Sequence, residues 1–378
     1  MNPKDLKFWY AVFALVGTTI GAGIFGLPFV FFKAGFLVGL AELLVLTSVI
    51  ILVQQIFGEI ALRTRGKKRL VGYDEEYLGS VWKFFSALAV IFGASGAVLV
   101  YVILGGEFLA AIFGTDKFFS SLAFFAVWFL AILARPKTFG RFEFYIGAFA
   151  FFIIVILPLF SLGYIDLNNL KNLDLSNSFL PYGVILFAIA GYSVIPEMEE
   201  ILGDQKNKLR KAIVLGTLIP VAVYLIFTFT VVGVSGSLTS RDAISGLALA
   251  TNSQFLLIVG SFLGLLTVSG AALSQGVFLK ETFIYDLKIR TGLAWALTGV
   301  IPLTVFLLGA RDFLYVVGLV GAVIFGFRVV DVLLIHKRAK KSEITPAYEI
   351  NLSPWGYYAL GSLAILGAIL EIWYIISK

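Results

Sequence analysis

The 378 residues include no cysteine and only one histidine, His336. Disulfides, thiol nucleophiles and cysteine–metal centres are thereby excluded, and a single imidazole cannot build a histidine metal cluster. Charge is scarce too: Asp, Glu, Lys and Arg make up 14% of the chain, against 60% hydrophobic residues and a mean hydropathy of +0.97. A soluble chain carries roughly 25% charged residues. The composition therefore specifies an all-α polytopic membrane protein with no room for an extramembrane domain. The net charge of +6 does not point to nucleic acid, because the basic residues are distributed as membrane topology requires. A membrane enzyme is not expected either, with no cysteine, one loop histidine and no mid-membrane pair of carboxylates visible.

Eleven apolar stretches of about 18 residues or more read as spans. They cover 8–33, 35–62, 82–113, 117–134, 142–164, 180–202, 212–236, 254–282, 291–309, 312–335 and 354–376. The first follows Lys4 and Lys7 but is too long for a signal-peptide core, so it reads as a retained helix. The third and eighth exceed a perpendicular crossing and are expected to tilt. The longest loops are Arg63–Val81, Tyr164–Phe179 and Gly236–Ser253, the last expected to cap one mouth. With the N-terminus inside, 23 of the 29 Lys and Arg fall in the inner set and 6 in the outer. The positive-inside rule then places the N-terminus in the cytoplasm and the C-terminus outside a plasma membrane. Aromatic residues, 15% of the chain, suit lipid-facing helices with Trp and Tyr near the interfaces.

One span is built unlike the rest. Between Val16 and Pro28 it carries Gly17, Gly21, Gly23 and Gly26, the threonines Thr18 and Thr19, and a proline. Each interior glycine costs a helix about 1 kcal/mol relative to alanine, and Pro28 lacks a backbone donor. Unpaired backbone survives in hydrocarbon only where it lines a cavity or packs within protein. Small residues also allow plain close helix packing; a broken helix presenting its main chain to a ligand is the reading favoured here. Five spans later, Leu186 to Glu197 repeats the pattern with Ala188, Ala190, Gly191 and Pro196. Five is odd, so the two breaks enter from opposite sides, the arrangement that marks a transporter's central site. The expected units are 1–164 and 180–335, two inverted repeats of five spans, with 354–376 an added eleventh.

Broken half-helices expose N–H groups at one end and C=O groups at the other, with partial charges to match. Together they suit a zwitterion, with carboxylate on the amides of Gly21, Ala22 and Gly23 and ammonium on carbonyls around Thr18, Thr19, Phe187 and Ala188. No charged side chain is required.

The run Gly-Thr-Thr-Ile-Gly-Ala-Gly-Ile-Phe-Gly-Leu-Pro, 17–28, resembles the first-helix signature of the amino acid–polyamine–organocation superfamily. Gly191-Tyr192-Ser193-Val194-Ile195-Pro196-Glu197 is similar to the sixth span of its amino acid/auxin permease branch and of the bacterial hydroxy- and aromatic amino acid permeases. Asp312 to Ala322, followed by Lys337-Arg338-Ala339-Lys340-Lys341, is a third likeness. The resemblance covers spans one to ten. It implies a LeuT-type fold of five-plus-five inverted repeats and secondary active transport of neutral amino acids by alternating access. By position it sets the carboxylate-binding amides at Gly21, Ala22 and Gly23, and the facing wall at Phe187, Ala188, Ala190 and Gly191. Tyr101 resembles a position near substrate, and Tyr192 either lines the pocket or packs beside the break. In sodium-coupled relatives a Na+ ion lies between first-helix carbonyls and eighth-helix hydroxyls. Here these are Gly17 and Ile20, with Thr267 and Ser269, the alternative being that the two hydroxyls merely bond to preceding carbonyls. Some proton-coupled relatives place a fifth-span lysine there; none lies within 142–164, which favours Na+ over H+. No other cofactor is implied.

Remaining charges receive simpler readings. Glu42 and Glu107 are proton carriers, or reach water or Lys33. Arg328 and Asp331 form a structural pair one turn apart. Glu59 and Glu143 are expected to be solvated, and Glu197, Glu199 and Glu200 to meet basic inner loops. A second functional class is a non-transporting sensor or a channel of the same fold. A channel displays rings of charge or a repeated filter and a sensor carries a reporting domain; the chain offers neither.

Overall fold

Apolar runs this long have one way to satisfy their backbone in hydrocarbon without partners, which is to coil into helices. The computed structural model describes residues 3–66, 68, 70–134 and 161–377. Among these there is no strand, and fourteen α-helices follow one another. They are α1 Pro3–Thr19, α2 Gly23–Ala34, α3 Phe36–Leu62, α4 Leu70–Leu78, α5 Ser80–Phe113, α6 Lys117–Ala134 and α7 Leu180–Ile189. Then come α8 Ile195–Leu202, α9 Leu209–Ser235, α10 Ile244–Ala250, α11 Gln254–Glu281, α12 Thr291–Leu307, α13 Phe313–Ala339 and α14 Pro354–Ser377.

Helices α3, α5, α13 and α14, α11 with its π-helical continuation, and the stretch 180–238 are each long and apolar enough to cross a membrane. The pair α1 and α2 qualifies together, bent by 61° at its break, and α6 and α12 are shorter apolar helices. This is a multi-pass membrane protein. Every expected span except 142–164 coincides with a helix or a broken pair; that span, with Glu143, falls outside the described residues apart from 161–164.

Loops hold more structure than their composition suggested. The 63–81 loop contains α4, and the 236–253 loop contains α10. That second loop is pinned by an Arg241–Asp312 ion pair, while Asp312 also caps α13 by accepting from Leu314 N–H at 3.1 Å. It borders a cleft of about 520 Å³, with Glu107, Lys117, Asp242 and Gln254 on its wall. Glu107 pairs with Lys117 at 3.6 Å instead of with Lys33, which lies 5.5 Å over the Phe29 ring.

At the opposite end of the bundle two buried ion networks tie distant helices together. Arg328 of α13 donates to Asp331 Oδ2 at 2.8 Å and Ser86 Oγ at 3.2 Å, and stands 3.7 Å from Asp74 of α4. Trp82 closes the group by donating to Asp331 Oδ1 at 2.7 Å, and Ser86 donates to Asp74. Thus Arg328 and Asp331 do pair, but as half of a larger cluster. The second network corrects an expectation: Glu59 is fully buried, not solvated. It accepts from Arg63 Nε at 2.9 Å and Ile350 N–H at 2.6 Å, and faces His336 Nε2 at 3.1 Å. Tyr357 Oη meets His336 Nδ1 at 2.7 Å, so the sole histidine joins α3, α13 and α14. Burial this deep requires each ionised group to be paired.

Candidate functional site

Helix α1 stops at Thr19 and α2 starts at Gly23. Ile20 N–H still reaches back to Val16 O at 3.0 Å, and Phe25 N–H takes up a tight bond to Ala22 O at 3.1 Å. Between them the amides of Gly21, Ala22, Gly23 and Ile24 find no backbone acceptor among the described residues. These are the unpaired donors that a helix start leaves over. In the other broken pair, α7 ends at Ile189, and Gly191 N–H bonds to Ile189 O at 3.0 Å before a short 3-10 turn, Tyr192–Val194, leads into α8. Pro196 sits in the first turn of α8, where a missing N–H costs nothing.

The two breaks cross in contact. A Cβ on Gly23 would stand 2.6 Å from Ala188 Cα and 2.7 Å from its Cβ, so only glycine allows α2 to start there. Gly191 in turn is pressed against the Thr19 hydroxyl. Close packing and an open helix end are therefore both present, at neighbouring residues.

A residue absent from the sequence reading ties the crossing together. Tyr224 of α9 is fully buried, and its Oη lies 2.8 Å from Thr19 O and 2.9 Å from Ala188 O. One phenol thus donates to the terminal carbonyls of both broken helices. The only sequence signal was a polar aromatic in the middle of an apolar span.

Other proposed residues distribute as follows. Gly21 is buried, with Tyr101 Oη 3.5 Å and Ala271 Cβ 3.9 Å from where its Cβ would be. Ala22 and Ala188 are buried, while Phe187 and Ala190 are half-buried. Tyr101 is therefore at the break, its hydroxyl without a hydrogen bond among the described residues. Tyr192 is half-buried and turns toward Arg328, beside the ion cluster. Thr18 is exposed, and the Thr18 and Thr19 hydroxyls each donate at 2.8 Å one turn back, to Ala14 O and Leu15 O. Thr267 and Ser269 do the same, to Leu263 O at 2.9 Å and Leu265 O at 2.6 Å, a common habit of hydroxyls in membrane helices. Each keeps its oxygen lone pairs. Gly17 is exposed with nothing within 4 Å of a Cβ placed on it, and α11 touches the break at Ala271, one turn past Thr267. No group of three or more His, Asp or Glu suited to a metal occurs among the described residues.

The chain resembles known proteins across nearly its whole length. Residues 4–371 match the Tryptophan/tyrosine permease family. Tyrosine-specific transport system 2 of Haemophilus influenzae is 27% identical over 60% of this chain, an alignment spanning 58% of that protein. The Low affinity tryptophan permease of Escherichia coli is 25% identical over 96% of this chain and 95% of its own length. Among solved structures, MhsT in complex with L-phenylalanine superposes with a TM-score of 0.58 at 15% identity, covering 97% of each chain. The last likeness shows the fold alone, and that fold is LeuT-type, as the family resemblance implied. With a match of this extent, the chain belongs to the tryptophan/tyrosine permease family, a family of transport permeases and not of enzymes.

Proposed function

We propose that the protein is a secondary active transporter that carries neutral amino acids by alternating access. The observation that carries the reading is the crossing of two interrupted helices, whose free amides and carbonyls meet with no ionised side chain between them. A substrate carboxylate would take the amides at Gly21, Ala22 and Gly23, drawn by the positive end of α2. Its ammonium would take carbonyls around Thr18, Thr19, Phe187 and Ala188, where Thr19 and Ala188 each keep a lone pair beside the one engaged by Tyr224. Tyr101, Ala190 and Gly191 would border the side chain, while Tyr192 turns away toward Arg328. The neutral class follows because a fixed charge on the substrate would meet no partner in this region. Relatives that carry tyrosine and tryptophan support it.

The same reading assigns the chain to the amino acid–polyamine–organocation superfamily. Its units are 1–164, 180–335 and 354–376, with eleven spans, a cytoplasmic N-terminus and an outer C-terminus in the plasma membrane. Na+ at Gly17, Ile20, Thr267 and Ser269 is the proposed coupling ion. Uptake of labelled tryptophan, tyrosine, phenylalanine and glutamine into proteoliposomes, in sodium and in choline buffer, tests both parts. Saturable uptake is expected, faster under an inward Na+ gradient. Absence of saturable uptake for these four, and then for the other sixteen tested the same way, would overturn the transport reading, and indifference to Na+ would overturn the ion assignment.

A further inference from the structure

The guanidinium of Arg328 is buried between two carboxyls, and its bonds are unevenly distributed. Its Nη1 alone meets Asp331 Oδ2 at 2.8 Å, Ser86 Oγ at 3.2 Å and Asp74 Oδ2 at 3.7 Å. Its Nη2 is buried without a hydrogen bond among the described residues, and so is Asp74 Oδ1. Arg328, Asp331 and Asp74 are each exposed by 2% or less. A guanidinium pairs best with a carboxylate through two parallel N–H bonds, a fork that neither carboxyl obtains here. A donor and an acceptor left over in one buried cluster are rare enough to need a cause. They are the atoms that a fork between Arg328 and Asp74 would join.

The two pairings tie different parts of the molecule. Asp331 is one turn from Arg328 on α13, so pairing with it fastens no second helix directly. Its other oxygen is held from α5 by Trp82 Nε1 at 2.7 Å, so Asp331 keeps a donor when Arg328 leaves. Asp74 belongs to α4, and Ser86 is the hydrogen-bond donor at its carboxyl. One turn further along, α4 is pinned by Arg338, whose Nη1 donates to Tyr77 O at 2.7 Å, and by a 2.9 Å bond between Thr64 Oγ1 and Tyr77 Oη. The Asp74 end of α4 can therefore swing while the Tyr77 end stays fixed. On another side Arg328 faces Tyr192, in the short turn between α7 and α8. Charge points the same way, since one buried cation offsets one carboxylate and not two.

We propose that this cluster is a two-position latch on the inner side of the substrate site. In the position seen here Arg328 pairs with Asp331 of its own helix and leaves Asp74 loosely held. In the other it turns its fork onto Asp74 and clamps α4 beneath the α7–α8 turn, while Trp82 keeps Asp331. Each position leaves one carboxyl short of donors, which makes the cluster bistable, as switching elements are. Only rotation of the Arg328 side chain and a small approach of α4 are needed, because Asp74 already lies 3.7 Å away. Clamping α4 shuts the approach from the cytoplasm, and letting it go opens the approach. The exchange of partners stands on the contacts of the cluster. Its part in releasing an amino acid rests on the reading of the preceding subsection.

The chain has no cysteine, so paired spin labels attach only where cysteine is introduced. Labels at Glu76→Cys on α4 and Lys341→Cys just beyond α13, both exposed positions, report the distance between the two elements in nanodiscs. Two distance populations are expected. Asp331→Asn should favour the shorter about tenfold and Asp74→Asn the longer by a like factor, within the range of ordinary coupling energies. A cluster held still by a buried bridging water would respond to both substitutions alike. Trp82→Phe keeps the ring stacked on Phe327 and removes no charge. It should shift the populations as Asp331→Asn does, and decides the matter should that variant fail to fold. In proteoliposomes with equal Na+ on both sides, exchange of labelled tryptophan should slow about tenfold in Asp331→Asn and not in Asp74→Asn. Shifts in the same direction, or a single unmoved distance, would overturn the proposal. Opposite shifts with unchanged exchange would overturn the part in release. A wild type that shows both populations but exchanges none of the twenty amino acids would defeat the transport reading while leaving the exchange of partners standing.

Discussion

The helix crossing and the end of the bundle that carries α4 are both polar regions buried in an apolar protein, yet they are made of opposite materials. At the crossing the polar groups are main-chain ends of α1, α2, α7 and α8, joined by one phenol. At the α4 end they are charged and titratable side chains, Arg328 with Asp74 and Asp331, and Glu59 with Arg63 and His336. The difference separates holding from fastening. Main-chain dipoles grip a small solute without a large desolvation cost. Breaking a buried ion pair by removing one partner costs about 3–5 kcal/mol, which suits a fastener that keeps helices shut.

The largest effect should come from breaking the fastener. Arg328→Met leaves Asp74 and Asp331 without their cation, and thermal unfolding in detergent should show a loss of about 3–5 kcal/mol. A change under 1 kcal/mol would mean that the cluster contributes packing only. Next is the crossing itself. Gly23→Ala forces a Cβ against the Ala188 backbone and should cost about 1–3 kcal/mol, the ordinary range for overpacking. Gly21→Ala meets only ordinary contacts and should leave unfolding unchanged while weakening tryptophan binding about tenfold, or about 1.4 kcal/mol. Equal stability losses in the two would show that both glycines serve packing alone. Tyr224→Phe keeps the ring and deletes the hydroxyl, for a loss of about 1–3 kcal/mol from two buried acceptors. Binding should weaken alongside stability, because the two half-helices lose their common tie.

A separate effect is a pH dependence at the α4 end. Burial beside Asp331 raises Asp74 from its ordinary 3.8 to about 8, against the opposing pull of Arg328. A carboxyl whose folded value is raised binds its proton more tightly when folded, so its contribution is complete at low pH. That contribution is lost as pH rises from about 4 through about 8. Melting temperature should fall across that window, and Asp74→Asn should flatten the fall. A slope unchanged in Asp74→Asn would assign it to another group.

The broken helices were legible because their cause is local: glycines, a proline and apolar flanks within a dozen residues. The free amides at Gly21 and Ala22 follow from the same stretch. Tyr224 was not legible, since its bonds to Thr19 reach across 205 residues and nothing nearby marks it. Glu59 misled for a related reason. A glutamate three residues from a helix end reads as solvated until Ile350 and His336 fold over it.

By itself the sequence determined that the chain is a bundle of membrane helices and where two of them come apart, because hydrocarbon enforces hydrogen bonding within each segment. Only the tertiary structure decided which interrupted ends touch, which phenol caps them and which buried charges find partners. Those outcomes depend on contacts between helices far apart in sequence, whose energies exist only after packing has removed the water between them.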